Sequence, residues 1–350
     1  MAQAVLGNIR FAGLTSCVPK NVVSNLDCAP DKLLERERLV RNIGIQTRRV
    51  CATGQVFSDL ALVAAEELIK GLGWKKDEID ALLVVTQSPD YPIPATAIIM
   101  QDRLGLPRST LAFDVNLGCS GYPYGLFVLG SMMSAGRIRK GIALIGDRSS
   151  NPTSLDNGLL SLFSDAATAT ALVFDETAPK MYFDFGSDGS GYKAIIIPAG
   201  AQRVPMQPHH LERLPGEDGI VRKGTDVILD GPAILNFSIR EVPPAVTALV
   251  KSTPYSFDDI DYFVFHQANR MINETIRKKL GLPEAKVPSS LRDFGNTSSA
   301  SVPMTITVRM REALASGPKR LLMSGFGVGL SWASCVVELD RPYLPELIEL

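Results

Sequence analysis

A pattern of short apolar runs in the first half of the chain returns in the second half, for the most part about 180 residues later. Runs this short and this apolar are typical of buried strands, and the longer apolar or amphipathic stretches between them are typical of helices. The pattern therefore predicts two copies of one α/β unit. The paired runs are residues 80–86 and 261–266, 111–119 and 291–296, 141–146 and 320–325, and 169–175 and 332–340.

This repeat divides the chain into an N-terminal half over residues 1–178 and a C-terminal half over residues 179–350. Cys119 ends the run 111–119 of the first half, and His266 and Asn296 end the runs 261–266 and 291–296 of the second half. Because ligands of open α/β sheets bind where strands end, we expect the three side chains to meet in one cleft. The alternative is that the similarity between the two halves is accidental, since any α/β protein repeats strands and helices.

Composition and charge limit the classes of function. The chain has 350 residues, of which 45% are apolar and 21% charged, and its net charge is -1. These values exclude a disordered or fibrous chain, and the short groups of basic residues predict no nucleic-acid partner. The first ten residues do not have the pattern of a secretory leader, and the sequence has no long uncharged apolar run, so we expect a cytoplasmic protein. Five scattered cysteines without a C-x-x-C pair predict reduced thiols and no metal site.

Cys119 stands between glycines, after an apolar strand and before a predicted helix. A thiol at the N-terminus of a helix faces unpaired N–H groups and the positive end of the helix dipole, which lower its pKa and favour the reactive thiolate. The alternative is a small buried residue in a tight turn, which is equally consistent with this stretch alone.

His266 and Asn296 make the catalytic interpretation stronger. Each has an ordinary structural reading, because a lone histidine is often a packed residue and Asn beside Gly often marks a turn. Together with Cys119 and a backbone N–H, however, they supply a nucleophile, a proton carrier and oxyanion donors, as acyl transfer requires. His209 and His210 lie in a proline-bounded loop and are predicted to be surface residues.

Several motifs resemble the β-ketoacyl-(acyl-carrier-protein) synthase III family of the thiolase superfamily. The resemblance covers nearly the whole chain and implies a five-layer αβαβα thiolase-like fold, a homodimer, and carbon–carbon bond formation of the Claisen type. The motifs are Asp114-Val-Asn-Leu-Gly-Cys119-Ser-Gly, Gly186-Ser-Asp-Gly-Ser-Gly191, His266-Gln-Ala-Asn-Arg270, Gly295-Asn296-Thr-Ser-Ser-Ala-Ser and Gly325-Phe-Gly-Val-Gly-Leu-Ser-Trp332.

The resemblance also implies a role for each motif residue. Cys119 matches the nucleophile that takes an acyl group from acyl-CoA or an acyl carrier protein (ACP). His266 and Asn296 match the pair that binds the carbonyl of malonyl-ACP or malonyl-CoA during decarboxylation. The N–H groups of Cys119 and Val328 match the oxyanion donors, and no cofactor is implied.

Phe326 and Ile93 match two further positions near the acyl group. Phe326 corresponds to an aromatic residue beside the nucleophile. Ile93 corresponds to a position that reaches from the partner subunit into the acyl pocket, so that chain-length preference depends on the dimer.

The chain departs from the family where coenzyme A or the carrier protein binds. Arg38 and Asn42 stand where the family has a tryptophan and an arginine that grip the adenine. Asn269 and Arg270 follow the histidine motif, with the basic residue one position early, and Lys278 belongs to a cationic group suited to an acidic carrier protein. The loop after Gly146 also departs from the family pattern. These changes predict a specialised member, such as one of secondary metabolism.

Three other functions stay open from the sequence. The first is an acyltransferase that passes the acyl group of Cys119 to a hydroxyl or amine without decarboxylation. The second is a noncatalytic partner subunit of the same fold, against which the intact Cys-His-Asn set argues. The third is a cysteine hydrolase, although the flanking motifs differ from those of the peptidases.

Overall fold

A computed structural model of the chain describes residues 2–150, 156–216 and 218–350. Part of the loop after Gly146, residues 151–155, therefore lies outside the described residues. The helices are α1 Leu33–Ile43, α2 Phe57–Gly71, α3 Thr96–Arg103, α4 Gly121–Met133, α5 Asn157–Leu162, α6 Gly231–Ser252, α7 Arg270–Lys279, α8 Leu291–Phe294, α9 Ser301–Arg309 and α10 Arg311–Ala315.

The strands alternate with these helices along most of the chain. They are β1 Ala2–Leu6, β2 Ile9–Val18, β3 Val22–Ser24, β4 Thr47–Arg49, β5 Ala81–Val85, β6 Leu111–Val115, β7 Lys140–Arg148, β8 Asp165–Phe174, β9 Met181–Ser187, β10 Ile195–Ile196, β11 Leu214–Pro215, β12 Val221–Arg222, β13 Ile228–Leu229, β14 Tyr262–Phe265, β15 Lys319–Gly327, β16 Ser331–Leu339 and β17 Ile348–Glu349.

Two large sheets carry the repeat. One has the strand order β17-β2-β8-β7-β5-β6, and the other has the order β1-β9-β16-β15-β14. The series β2-β8-β7-β5 corresponds to β9-β16-β15-β14, with the same directions: the first three strands of each series are antiparallel neighbours and the last two are parallel. The predicted duplication of an α/β unit is confirmed.

Apolar side chains fill the interfaces between five layers. Helices α2 and α3 cover the outer face of the six-stranded sheet, and α6 and α7 cover the outer face of the five-stranded sheet. Between the sheets, α4 and α9 pack their apolar side chains against both inner faces. This αβαβα arrangement confirms the predicted thiolase-like fold. The division between residues 178 and 179 stays a prediction.

The two inner helices position the candidate site. Helix α4 begins two residues after Cys119, and α9 begins five residues after Asn296. Because both helices lie between the sheets, their N-terminal ends bring residues of the two halves together at the centre of the molecule. Among the described residues, we find no helix long and apolar enough to cross a membrane.

Candidate active site

Cys119 lies in the turn between β6 and α4, and its side chain is only 6% exposed. Gly327, at the end of β15, faces it so closely that a Cβ atom on Gly327 would lie 3.0 Å from the Cys119 sulfur. The backbone N–H groups of Cys119 and Val328 lie beside the sulfur and act to lower the pKa of the thiol. Donors from both halves of the chain therefore converge on one buried thiol.

The acidity of this thiol differs from the sequence-based expectation. Burial, and after it the carboxylate of Asp147, raise the pKa of Cys119 to about 11, while the two backbone donors and the Ser298 hydroxyl act in the opposite direction. The predicted lowering of the pKa at the helix N-terminus is therefore wrong for the free protein. Loss of hydration at a buried helix end outweighs the favourable N–H groups, so the thiol is the resting form.

His266 directly follows β14 and is 2% exposed. Its Nδ1 lies 2.7 Å from Oγ of Ser301, and its ring stands perpendicular to the ring of Phe326 at a centroid distance of 5.4 Å. Burial lowers the pKa of the imidazole to about 3. His266 is therefore a neutral group at physiological pH, able to donate a hydrogen bond from one ring nitrogen.

Asn296 is buried, but it does not end a strand. The run that was matched to β6 forms the short helix α8, after which Gly295 adopts a φ of +64° and Asn296 makes an isolated bridge with Phe163. The strand prediction for residues 291–296 is wrong because a helical turn and a glycine bend replace the extended backbone. The amide Oδ1 accepts a hydrogen bond from the Ser298 N–H at 2.9 Å.

Ser298 joins the three predicted residues. Its hydroxyl lies 4.0 Å from the Cys119 sulfur, and its N–H donates to Oδ1 of Asn296. Its backbone lies beside the imidazole of His266 and acts to raise its pKa. It does this with a φ of +50°, a left-handed conformation that is uncommon for serine. The predicted Cys-His-Asn cluster is thus brought together by a residue that sequence reasoning quoted within a motif without assigning it a role.

Asp147 is the second residue that sequence reasoning missed. The sequence predicts a loop after Gly146, but β7 continues through Arg148, and the Asp147 side chain is buried. Its Oδ1 accepts hydrogen bonds from Gln87 N–H at 2.6 Å and Thr86 Oγ1 at 3.0 Å, and its Oδ2 accepts one from Ser299 Oγ at 2.8 Å. A charged residue two positions after the apolar run 142–145 is the available signal.

The residues predicted to bind coenzyme A or a carrier protein lie on the surface. Arg38 and Asn42 are exposed on α1, and Lys278 is exposed on α7. Arg270 is the exposed first residue of α7, and its Nη1 donates to the carbonyl of Arg41 at 3.4 Å, so α1 and α7 are neighbours. Asn269 caps α7, because its Oδ1 accepts the Ile272 N–H at 2.9 Å.

A five-layer fold with a buried cysteine beside a histidine and an asparagine defines this protein as a thiolase-fold enzyme of the condensing type. Residues 113–189 match the family described as 3-Oxoacyl-[acyl-carrier-protein (ACP)] synthase III, and residues 250–339 match the description of its C-terminal part. The chain belongs to this family, which confirms the resemblance found in the sequence.

Individual relatives agree with this assignment. A β-ketoacyl-[acyl-carrier-protein] synthase III of Streptococcus mutans is 31% identical to this chain. The alignment covers 92% of this chain and 96% of the relative. The crystal structure of a 3-oxoacyl-(acyl-carrier protein) synthase of Burkholderia xenovorans has a TM-score of 0.92 and 35% identity, with 100% of this chain and 99% of that chain covered. The Pseudomonas aeruginosa synthase III has a TM-score of 0.76 and 27% identity, covering 97% and 99%.

Proposed function

We propose that Cys119 takes an acyl group from a thioester and then passes it to the carbanion formed by decarboxylation of a malonyl thioester. In the first step the sulfur attacks the thioester carbonyl, and the thiol of the donor leaves. The observation that carries this proposal is the pair of N–H groups, from Cys119 and Val328, that lie beside the buried sulfur and favour negative charge there. Two such donors beside a nucleophile suit the oxyanion of a tetrahedral intermediate.

His266 and Asn296 serve the second step. Loss of carbon dioxide from the malonyl group leaves negative charge on the thioester oxygen, and neutral N–H donors stabilise it without transferring a proton. Two observations support this role. The pKa of His266 is low, and the Ser298 N–H donates to Asn296 Oδ1, which leaves the amide nitrogen to donate to other groups. The carbanion then attacks the acyl group on Cys119, and the thiolate leaves.

The substrates in this proposal are an acyl-CoA or acyl-ACP and a malonyl-ACP or malonyl-CoA, with no added cofactor. The exposed cations Arg270 and Lys278, on the surface shared by α1 and α7, support docking of an acidic carrier protein.

We also propose a homodimer formed through β6. This strand is at the edge of the six-stranded sheet, and none of its five residues is fully buried although four of them are apolar. An unpaired apolar edge is a ready site for strand pairing. Ile93 is 85% exposed, which supports its predicted insertion into the partner subunit.

A panel of acetyl-, hexanoyl- and dodecanoyl-CoA, followed by malonyl-CoA or malonyl-ACP, tests the function. We expect an acyl adduct on the intact protein, then a 3-oxoacyl product and carbon dioxide. Cys119→Ser is expected to form no adduct. His266→Ala and Asn296→Ala are expected to keep the adduct and to lose roughly 10²-fold or more in decarboxylation, as for an oxyanion donor.

The alternatives give different products. An ester or amide formed without carbon dioxide would identify an acyltransferase. Absence of any adduct with every donor, in a protein that also lacks product, would support the noncatalytic subunit and contradict the proposal.

A further inference from the structure

Asp147 is buried and acts directly on the Cys119 thiol. A buried carboxylate close to Cys119 disfavours the thiolate, and in this structure it is the second largest cause of the raised pKa of the thiol. His266 does not compensate, because its own pKa is far below the physiological range. The proton of the Cys119 thiol therefore needs another acceptor when the sulfur attacks.

Ser298 lies between the thiol and this carboxylate. Its Oγ is 4.0 Å from the Cys119 sulfur, within the range of a hydrogen bond to sulfur. The same side chain lies beside the Asp147 carboxylate and acts to lower its pKa. A hydroxyl both accepts and donates, so it can receive the thiol proton on one side while giving up its own on the other.

We propose that Ser298 and Asp147 carry the thiol proton away from Cys119 during acylation and return it to the departing thiol. As the sulfur bonds to the acyl carbon, its proton moves to Ser298 Oγ, and the hydroxyl proton of Ser298 moves to the Asp147 carboxylate. When the carbon–sulfur bond of the donor breaks, the proton returns by the same route to the leaving thiolate. At the end of the step, Asp147 and Ser298 have regained their starting protonation states.

The surroundings of Asp147 suit a proton acceptor. The groups that face it are uncharged donors from the end of β5 and from the turn before α9, together with the Cys119 thiol. On the neighbouring strand β8, the residue paired with Asp147 is Ala166. Arg148 and Asp165, which pair at the next register position, point to the opposite face of the sheet because side chains alternate along a strand. Burial raises the pKa of Asp147, which makes the carboxylate a stronger base.

Two rates measured on the same variants test the proposal, which rests on the proposed acyl-enzyme. The first is the rate at which Cys119 is acylated by acetyl-, hexanoyl- and dodecanoyl-CoA, from intact mass. The second is the rate at which iodoacetamide alkylates Cys119 across the pH range, which reports the thiolate. We expect Asp147→Asn to shift the alkylation profile to lower pH, because a negative charge is removed, and to slow acylation at least about tenfold, because the base is lost.

Opposite effects of Asp147→Asn on alkylation and on acylation separate proton transfer through Ser298 and Asp147, here called the relay, from other roles. A purely electrostatic role predicts that Asp147→Asn speeds both reactions, and a purely structural role predicts that it slows both. Either of these outcomes would overturn the proposal.

Two serine variants complete the test. Ser298→Ala interrupts the route while the carboxylate remains, and we expect it to slow acylation at least about tenfold as well. Ser299→Ala is the matched control, since Ser299 donates to the same carboxylate without contacting the sulfur. Equal losses in the two serine variants would contradict a relay through Ser298. If iodoacetamide alkylates the unmodified protein but no thioester acylates it, the proposed function itself is contradicted, independently of the variants that test the relay.

Discussion

At the scale of single residues, burial sets the chemistry of the site. Cys119 and His266 are ordinary side chains by type, yet loss of hydration moves the pKa of the first up to about 11 and of the second down to about 3. In both cases the neutral form is favoured, because a charge in a poorly hydrated interior costs free energy. The resting site therefore holds a thiol and a neutral imidazole.

The contact between Gly327 and Cys119 gives a first prediction. We expect Gly327→Ala to lower the rate of Cys119 acylation by up to roughly 10²-fold, because its Cβ would lie 3.0 Å from the sulfur and displace the nucleophile. Intact-mass kinetics with the best acyl donor measure this. Gly54→Ala is the control, since Gly327 and Gly54 both have a positive φ, +154° and +84°, but nothing lies within 4 Å of an added Cβ at Gly54. Equal losses in both variants would attribute the effect to backbone strain instead.

The neutral imidazole gives a second prediction, on pH. Because the pKa of His266 lies at about 3, the group stays uncharged, and we expect malonyl decarboxylation to show no protonation step near the ordinary histidine pKa of about 6.5. Carbon dioxide release from the pre-acylated protein, followed across that range, measures it. The variant with both His209→Ala and His210→Ala is the control, as these are the other two histidines. A step that persists in this variant would contradict a neutral His266.

At the scale of elements, the sequence-based predictions succeeded where local pattern decides the structure. The apolar runs 81–85, 141–146 and 262–265 are strands, as continuous apolar runs of this length predict. Residues 291–296 were assigned by analogy with β6, and they fold differently because α8 and the bend at Gly295 direct Asn296 towards Phe163. The analogy between the halves was therefore reliable for the sheets and unreliable for the loop that carries a site residue.

Helix α7 gives a third prediction. The resemblance implies a role of Asn269 in coenzyme A or carrier binding, and in the structure its Oδ1 caps α7. We therefore expect Asn269→Ala to lower the free energy of unfolding by about 1 kcal/mol. Denaturant unfolding measures this, and Asn269→Asp, which keeps a capping oxygen, should stay close to the unmodified protein. An unchanged stability together with a raised KM for the acyl or malonyl substrate would instead indicate a direct contact with the substrate.

At the scale of the whole molecule, the edge strand β6 gives a fourth prediction. We expect Leu111→Lys to weaken the proposed dimer, because Leu111 is 44% exposed on the strand that would pair with its copy. Light scattering across a dilution series measures the change in mass. Val5→Lys is the control, since Val5 is 54% exposed on β1, at the edge of the other sheet. A monomer at every concentration of the unmodified protein would contradict the dimer.

The same scale explains which parts of the site were hidden in the sequence. Asp147 and Ser299 are 152 positions apart, and Cys119 and Ser298 are 179 positions apart, yet each pair is in contact. Such contacts depend on how the two halves pack around α4 and α9. The cytoplasmic location and the absence of a cofactor stay predictions.

The sequence by itself determined the duplicated α/β fold and the identity of the Cys-His-Asn set, because apolar periodicity and short motifs are local properties of the chain. Only the tertiary structure decided the protonation of Cys119 and His266, the central place of Ser298, and the approach of Asp147 to the nucleophile. The physical reason is that desolvation and long-range hydrogen bonds arise when the halves close around the site, and neither can be evaluated from neighbours in the sequence.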